Sequence, residues 1–313
     1  MHRFRVAEDS MTPTLRPGDE FVATSARTAV AGEVVALPHP GRADFWLVKR
    51  MTGGPGDRVD GHGVLGDGLA WVNSDNRDAS AHDSRSFGPV PLVTLLPRVE
   101  HLDHTTFAEA IALLADEEPA FARVVEEHGA PRFWHRPAGF PTLVWLIMEQ
   151  QVSLESGAAM YRRLHGLLGT ITPERMSSVT ENGLREIGVT RQKAVYLHAL
   201  SRSVLSGDLD LDSLGHIPFE KARDALLSVT GIGPWTAEAY LLSALGFPDV
   251  FPLGDRALQV GTAEVLGMTT IPEGGELEML AEPWRPIRAV AARLIWHSYL
   301  KRRGRAEPLD PTA

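Results

Sequence analysis

The 313-residue chain contains no cysteine. That absence excludes disulfides, zinc sites with thiolate ligands, a cysteine nucleophile and an iron–sulfur cluster bound by cysteines. Long apolar runs are also missing, because none reaches the ~18 residues that are needed to span a bilayer. The first residues, MHRFRVAEDSM, are too polar for a signal peptide. We therefore expect a cytoplasmic protein that makes no contact with a membrane.

An excess of basic residues is missing as well. The formal net charge is −9, while hydrophobic residues make up 43% of the chain and charged residues 23%. Those proportions are ordinary for a folded globular protein. The negative charge argues mildly against a nucleic-acid-binding protein, although net charge governs long-range attraction rather than the chemistry of a site. A local basic cluster, Lys301-Arg302-Arg303 with Arg305, remains available to bind phosphate.

Two parts of the chain differ in hydrophobic periodicity. Residues 1–100 combine Gly/Pro turns with short apolar runs such as EFVAT, GEVVAL and DFWLVKRM, which predict strands. From Thr105 onward, apolar residues recur at three- and four-residue spacing, which predicts helices. The change falls around residues 98–106. We therefore predict two domains, at residues 1–100 and 104–305, followed by a flexible tail at residues 306–313.

The helical part contains a Gly-rich turn between two predicted helices. A helix that ends near Val229 is followed by Thr230, Gly231, Ile232 and Gly233, and Pro234 begins the next helix. Such a turn aims several backbone N–H groups outward at a helix N-terminus, so it can bind a phosphate without a charged side chain. An ordinary tight turn would also contain Gly-x-Gly, so the motif alone does not decide between the two.

A carboxylate stands directly before the helix that follows this pair. After the loop FPDVFPLG, Asp255 directly precedes a helix that begins with RALQV. That is the position of an N-cap residue, and capping is a common role for Asp. The alternative is a catalytic carboxylate at the edge of a DNA groove that the hairpin defines.

Together these segments resemble the helix-hairpin-helix DNA glycosylases, and among them the alkylpurine (3-methyladenine) DNA glycosylases. The resemblance covers about residues 104–303, where GIGPWTA matches the hairpin signature and PWRPIRAVAARLIW matches the C-terminal segment of the family. It implies an all-α domain that excises alkylated purines from double-stranded DNA, with Asp255 as the catalytic carboxylate. It also implies hairpin contacts with DNA from Thr230 to Gly233, no required cofactor and no metal site, with a monovalent cation at the hairpin as an option.

The resemblance assigns roles to three further side chains. Trp235 stands where members with lyase activity carry a lysine, so a monofunctional enzyme is implied. Trp235 and Trp296 match positions of the base pocket, where an aromatic ring favours a cationic base by ~0.5–2 kcal/mol per contact. A Trp at helical spacing is, however, more often a core residue. Gln151, in MEQQVS, matches the side chain that fills the gap left by the flipped base; an ordinary surface residue is the alternative.

Two positions depart from the family pattern. A tyrosine expected four residues after Trp235 is Ala239 here, and the residue after Asp255 is Arg256, where an aromatic residue can occur. The departures imply a base pocket that is wider, or differently selective, than in the best-known members.

Three blocks in the strand-rich part form a second pattern: EDSMTPTLRPGDEFVA, FWLVKRMTGGPGDRV and VNSDNRDASAHDSRSFGPVP. They resemble the signal peptidase I family of serine proteases over about residues 5–97. The resemblance implies a mainly-β domain with Ser10 as nucleophile and Lys49 as general base. A lysine serves as base only if burial lowers its pKa, and Lys49 follows the apolar run FWLV. A turn serine and a lysine at a strand end are the alternatives.

Two features argue against peptidase activity. Glu8 stands two positions before Ser10, where the family often has a small or hydroxyl residue, and a carboxylate would repel a developing oxyanion unless it turned away. We expect no membrane anchor of the kind that the family carries, which favours a soluble processing protease, or self-cleavage, over removal of secretory signal peptides.

The leading hypothesis is a base-excision glycosylase fused to a soluble Ser–Lys peptidase domain of unknown peptide substrate. The alternative is a processing or self-cleaving serine protease whose helical half only tethers it to DNA. A third hypothesis treats the first domain as an inactive interaction module. An intact Asp255 favours the first, since a pure binding module needs no carboxylate facing phosphates.

Overall fold

The computed structural model describes residues 1–79 and 82–306. The chain divides into two compact units: a strand unit, Met1–Glu117 with Trp284–Ile287, and a helical unit, Glu118–Pro283 with Arg288–Ala313. Residues 307–313 of the predicted tail lie outside the described residues.

Antiparallel sheets form the strand unit. Its strands are β1 (His2–Arg5), β2 (Glu20–Ala23), β3 (Val34–Pro38), β4 (Trp46–Gly53), β5 (Arg58–Val59), β6 (Gly63–Val64), β7 (Leu69–Asn73), β8 (Val90–Pro91) and β9 (Leu96–Pro97). The five-stranded sheet has the order β8-β7-β4-β3-β9, and the pairs β1-β2 and β5-β6 form two smaller sheets. The run EFVAT contains β2, and GEVVAL and DFWLVKRM overlap β3 and β4, which end one or two residues beyond them, so the prediction of all three as strands is confirmed.

Strand β3, which pairs with β4 on one side and β9 on the other, is buried on both faces of the sheet. Val35 and Leu37 contribute to one hydrophobic cluster, whereas Val34 and Ala36 contribute to another. Because successive side chains of a strand point to opposite faces, two covered faces require a continuous apolar run rather than an alternating one. The sequence GEVVAL is such a run.

The strand unit continues beyond its last strand into a helix. Its helices are α1 (Ser84–Phe87) and α2 (His104–Glu117). Thr24 Oγ1, just after β2, donates to Glu109 Oε2 of α2 at 2.5 Å, and Arg3 Nη2 of β1 lies 2.8 Å from Glu117 Oε2. The change from strands to helices falls where the sequence predicts it, but these contacts place α2 with the strands. The compact unit therefore ends at Glu117, later than residues 98–106.

The helical unit contains α3 (Pro119–His128), α4 (Phe140–Glu149), α5 (Leu154–Leu168), α6 (Pro173–Ser178), α7 (Glu181–Glu186), α8 (Arg191–Leu205), α9 (Phe219–Leu227), α10 (Pro234–Ser243), α11 (Arg256–Leu266), α12 (Gly274–Ala281) and α13 (Arg288–Arg302). Within the described part of the chain, no helix is both long and apolar enough to cross a bilayer.

The long stretch TLVWLIMEQQVSLESGAAMYRRLHGLL forms two helices rather than one. α4 ends at Glu149, and Gln151 adopts a left-handed backbone conformation with φ 57°. Ser153 then caps α5, since its hydroxyl accepts a hydrogen bond from the backbone N–H of Ser156 at 3.2 Å. The interruption produces a tight turn between the helices, with an exposed Gln151 on it.

Helices α4 and α13 form the centre of the helical unit, and nearly all their residues are buried. α13 packs against both α11 and α3. Gly261 permits the close approach of α11 to α13, because a Cβ atom there would lie 2.7 Å from Ile295 Cγ2. The N-terminus of α11 is thereby fixed beside α13.

Candidate functional site

Asp255 lies at the N-terminus of α11, where its Oδ1 accepts a hydrogen bond from the backbone N–H of Leu258 at 2.7 Å. The predicted N-cap is therefore confirmed. Two indole groups add to this interaction. Trp235 Nε1 donates to Oδ2 at 2.7 Å, and Trp296 Nε1 donates to Oδ1 at 3.0 Å. A single carboxylate thus joins the first turns of α10 and α11 to α13, which is more than capping requires.

The hairpin between α9 and α10 depends on one glycine. Gly231 has φ +96°, and a Cβ atom at this position would lie 2.2 Å from Tyr196 Cγ. Gly233 precedes α10, which begins with Pro234 as predicted. Thr230 and Gly233 are exposed while Ile232 is 4% exposed, so Ile232 anchors the turn in the core. The first N–H groups of α10 have no partner within the helix and face the hairpin end.

The turn that carries Gln151 is bonded to this hairpin. Gln150 Nε2 donates to the carbonyl oxygen of Gly231 at 2.9 Å and to Thr236 Oγ1 at 2.9 Å. The exposed side chain of Gln151 therefore stands on a turn whose neighbour is fixed to the two residues that flank the start of α10. The structure brings together the hairpin and the predicted wedge, two elements that are about 80 residues apart in sequence.

A second candidate site lies in the strand unit. Lys49 Nζ donates to Ser10 Oγ at 3.1 Å, and the two side chains are 2% and 9% exposed. Ser10 belongs to a short 3-10 turn, Asp9–Met11, and Lys49 lies in the middle of β4 opposite Val35 of β3. A lysine that contacts a serine hydroxyl and little water has the arrangement that a Ser–Lys dyad needs.

Burial lowers the pKa of the Lys49 amine below its ordinary value of 10.5. The negative charges of Asp83, Glu8 and Asp75 act in the opposite direction but do not cancel the effect. Since only the neutral amine can accept the hydroxyl proton of Ser10, a lowered pKa increases the fraction of usable base near neutral pH.

The third block of the strand unit holds the serine turn in place. The backbone N–H of Asn76 donates to the carbonyl oxygen of Ser10 at 3.0 Å, and Asn76 Nδ2 donates to Thr12 Oγ1 at 2.9 Å. The adjacent Asp75 accepts from Arg50 Nε at 2.7 Å and from Thr14 Oγ1 at 2.6 Å. Asp75 and Asn76 therefore link the serine turn to the strand that carries Lys49.

Glu8 precedes that turn and is exposed, and its side chain makes no capping hydrogen bond to the turn. Its charge does reach Lys49, where it raises the pKa of the amine. Glu8, which argues against peptidase activity in the sequence, therefore also opposes the lowering of the Lys49 pKa in the structure.

Comparison with known proteins separates the two units. A family model described as HhH-GPD superfamily base excision DNA repair protein matches residues 144–286. A solved structure of DNA-3-methyladenine glycosidase from Bacillus halodurans is 30% identical, covers 62% of this chain and 88% of that chain, and superimposes with a TM-score of 0.52. Through its helical unit, the chain belongs to the HhH-GPD superfamily.

A curated relative of this chain is the DNA-3-methyladenine glycosylase of Bacillus subtilis, at 27% identity over 51% of this chain.

For the strand unit, a model for signal peptidase, peptidase S26, matches residues 1–65. The mitochondrial inner membrane protease subunit 1 of Schizosaccharomyces pombe is 33% identical over 29% of this chain. The chain spans 57% of the length of the Bacillus subtilis glycosylase and 65% of the length of the protease subunit, less than two thirds of either.

The structure brings the predicted residues together in three groups. Asp255, Trp235 and Trp296 form one, Ser10 and Lys49 a second, and the hairpin a third with the turn of Gln151, to which it is bonded through Gln150. The roles of these residues, and the cation expected at the hairpin, stay predictions. Two residues beside the site were not predicted from the sequence: Gln150, which bonds to the hairpin, and Trp134, whose ring stacks on that of Trp296. A pair of adjacent glutamines at a helix end could have indicated the first, but Trp134 lies in an irregular segment without periodicity.

Proposed function

We propose that the helical unit is a monofunctional DNA glycosylase that hydrolyses the N-glycosidic bond of alkylated purines in double-stranded DNA. The observation that carries the proposal is the carboxylate of Asp255, which Trp235 and Trp296 hold beside the first turn of α10 in an HhH-GPD protein. The names of the Bacillus relatives, both 3-methyladenine enzymes, support the same substrate class.

The number of carboxylates at the site favours a cationic leaving base. Glycosidic hydrolysis passes through an oxocarbenium-like state, and usually one carboxyl group protonates the leaving group while a second acts on the sugar. Among the residues that the structure describes, Asp255 is the carboxylate that accepts hydrogen bonds from both indoles, whereas Asp249, in the loop before it, is paired with Arg288. A purine alkylated at N3 or N7 already carries positive charge and departs without a general acid. Asp255 then stabilises the sugar cation and orients the attacking water.

Recognition of the base would use the aromatic group beside the carboxylate. Enzymes that act on a base rotate it out of the helix into a pocket. Trp235 is half-buried, so part of its ring remains available to such a base. An indole face favours a cation over a neutral base. Ala239, one turn further along α10, leaves more space than the tyrosine of the family pattern, which suits a wide pocket.

Binding to DNA would begin at the hairpin. The backbone N–H groups of Thr230, Gly231 and Gly233 and the N-terminus of α10 suit a phosphate. The N–H of Ile232 donates instead to the carbonyl oxygen of Val229 at 3.0 Å. Gln151 would fill the gap that the flipped base leaves in the DNA duplex. Its turn is positioned beside the hairpin by the hydrogen bond from Gln150 to Gly231. These contacts need no excess of basic side chains, so they fit a chain with a net charge of −9.

We infer an absence of lyase activity from the residue that stands at the position of the lyase lysine. Trp235 offers no amine, and the buried amine of Lys193 donates to the carbonyl oxygen of Met148 at 2.7 Å. We expect intact abasic sites as product, and no covalent protein–DNA adduct after borohydride treatment. An adduct that survives denaturing gel electrophoresis would contradict the monofunctional assignment.

The experiment that tests the proposal is incubation of the full chain with duplex DNA containing methylated purines, followed by counting of abasic sites. Abasic sites should appear in methylated DNA and not in the unmodified duplex. If the protein binds the methylated duplex yet forms no abasic sites, the helical unit only tethers the chain to DNA, and the alternative of a DNA-bound protease gains support.

A second activity, serine endopeptidase, is favoured by the contact between Lys49 and Ser10 at 3.1 Å and by the lowered pKa of the amine. The peptide substrate is open. Digestion of a peptide library by the wild-type chain and by the Ser10→Ala variant tests this proposal. Cleavage by the wild type alone supports a working dyad, and identical patterns at every pH leave the glycosylase as the only enzyme.

A further inference from the structure

The two tryptophans that donate to Asp255 have different surroundings. Trp235 is half-buried at the start of α10, whereas Trp296 lies on α13 and is only 9% exposed. A ring that stacks on an extrahelical base needs an accessible face. The two indoles, although both assigned to the base pocket by resemblance, therefore differ in what they can contact.

Trp296 is packed against a second indole. The ring of Trp134 stacks on it with centroids 5.7 Å apart and an interplanar angle of 21°. The guanidinium of Arg293, one turn before Trp296 on α13, lies 3.6 Å from the centroid of the Trp134 ring. Arg293 Nη2 also donates to the carbonyl oxygen of Arg132 at 2.8 Å. These contacts fix Trp134, and Trp134 in turn fixes the plane of Trp296.

The hydrogen bonds of Asp255 leave a specific acceptor position unused. An ionised carboxylate has about four lone-pair sites, two on each oxygen. Oδ1 accepts from Leu258 N and Trp296 Nε1, and Oδ2 accepts from Trp235 Nε1. Within the described part of the chain, one site on Oδ2 is left. That site is where the sugar cation or a water molecule would meet the carboxylate.

We propose that Trp296 is a positioning residue, which orients Asp255 through its indole N–H, rather than a residue that stacks on the base. The proposal rests on the glycosylase function proposed above. Trp134, which Arg293 contacts, packs on the indole of Trp296, and this indole donates to Oδ1 of Asp255. The orientation of the carboxylate is thereby fixed, with the remaining acceptor site of Oδ2 directed toward the substrate. Stacking on the base then falls to Trp235.

Replacement of Trp296 by Phe tests the role of the N–H, because a six-membered ring remains to pack on Trp134. Loss of one hydrogen bond to a charged acceptor should lower the single-turnover rate of base excision by about tenfold to a hundredfold. The Kd for an abasic duplex should stay within about twofold of wild type. Trp145→Phe is the matched control: Trp145 is 6% exposed, and its Nε1 has no hydrogen-bond partner in the described residues. This control should excise at the wild-type rate.

A spectroscopic measurement on the unliganded protein complements the kinetics and does not require catalysis. In a ¹⁵N-labelled chain, the indole N–H signals of Trp235 and Trp296 should move in the Asp255→Asn variant, since a carboxylate acceptor is replaced by an amide. The signal of Trp145 should stay in place. Each signal is assigned by its loss in the corresponding Trp→Phe variant, and the signal of Trp296 also by elimination, from single Trp→Phe variants at the other six of the seven tryptophans.

The outcomes separate this inference from the proposed function. If the wild type forms no abasic sites, the proposed function fails, whereas the indole signals still report whether Trp296 contacts Asp255. Wild-type excision with an unchanged rate in Trp296→Phe would overturn the positioning role alone. So would equal losses in rate and in affinity for the abasic duplex, because these would indicate a ring that contacts DNA. An unmoved Trp296 signal in Asp255→Asn also overturns it, even if the Phe variant does not fold.

Discussion

The two candidate sites surround their ionisable side chains with opposite kinds of environment. In the helical unit, three N–H groups donate to the half-buried carboxylate of Asp255. In the strand unit, the Lys49 amine is 2% exposed and donates to a neutral hydroxyl, that of Ser10. Donors complement a negative carboxylate, whereas burial beside a neutral partner favours an uncharged amine. One site is built to use a charge, and the other to use a free base.

The largest expected effect tests the charged site. Asp255→Asn removes the negative charge and turns a donor toward one of the three N–H groups. We expect excision to fall by about 10²-fold or more, since preorganised charges at a transition state contribute on that scale. Binding of an abasic duplex should be nearly unchanged. Single-turnover kinetics and fluorescence anisotropy measure the two quantities, and excision within about tenfold of wild type would contradict the assignment.

The neutral site is tested by removal of either partner. Ser10→Ala and Lys49→Ala should each abolish peptide cleavage, because residues that act as a unit are lost together when one is removed. Cleavage by the wild type should increase with pH below 10.5, as Lys49 loses its proton. Excision of alkylated bases by both variants should match the wild type. A pH profile that decreases over this range would exclude Lys49 as the base.

The free energy of unfolding tests the role of the two hairpin glycines. Gly231→Ala should lower the free energy of unfolding by about 1–3 kcal/mol, since its φ is +96° and a Cβ would lie 2.2 Å from Tyr196 Cγ. Gly233→Ala is the matched control, because its φ is −91° and nothing lies within 4 Å of an added Cβ. The control should change stability by no more than about 0.5 kcal/mol. Equal effects in urea denaturation would contradict this account of the hairpin.

The smallest expected effect concerns the pH dependence of stability. The folded-state pKa of Lys49 lies below 10.5, so between the two values the unfolded chain binds a proton that the folded chain does not. The free energy of unfolding should therefore rise with pH in that window, by at most about 1.4 kcal/mol per pH unit. Lys49→Met should lack this contribution. If the free energy of unfolding of both proteins changed with pH in the same way, the pKa of Lys49 would not be lowered by folding.

The local patterns of the sequence predict much of this arrangement. Short apolar runs indicate β2, β3 and β4, and the Gly-rich turn with Pro234 indicates the start of α10. Asp255 as an N-cap follows from a carboxylate placed directly before a helical segment. These features are encoded by neighbours in the chain, so periodicity and turn chemistry are sufficient to predict them.

Contacts between distant segments are beyond such reasoning. The stack of Trp134 on Trp296 joins a segment without regular structure to α13, and no spacing rule relates the two. The bond from Gln150 to the carbonyl oxygen of Gly231 depends on how α4 meets the hairpin. The contacts of α2 with the strands are likewise not visible in the sequence, and because of them the first unit extends to Glu117 rather than to residues 98–106. Packing, rather than sequence pattern, decides each of these.

In the proposed reaction, a single carboxylate suffices because the leaving base is already cationic. Chromatography of the free bases released from duplex DNA that contains both N3-methylated and unmodified purines tests it most directly. We expect release of the methylated purine by the wild type, release that is slower by about 10²-fold or more with Asp255→Asn, and no release of unmodified purines by either protein. Release of neutral purines at a comparable rate, or undiminished release by Asp255→Asn, would contradict it.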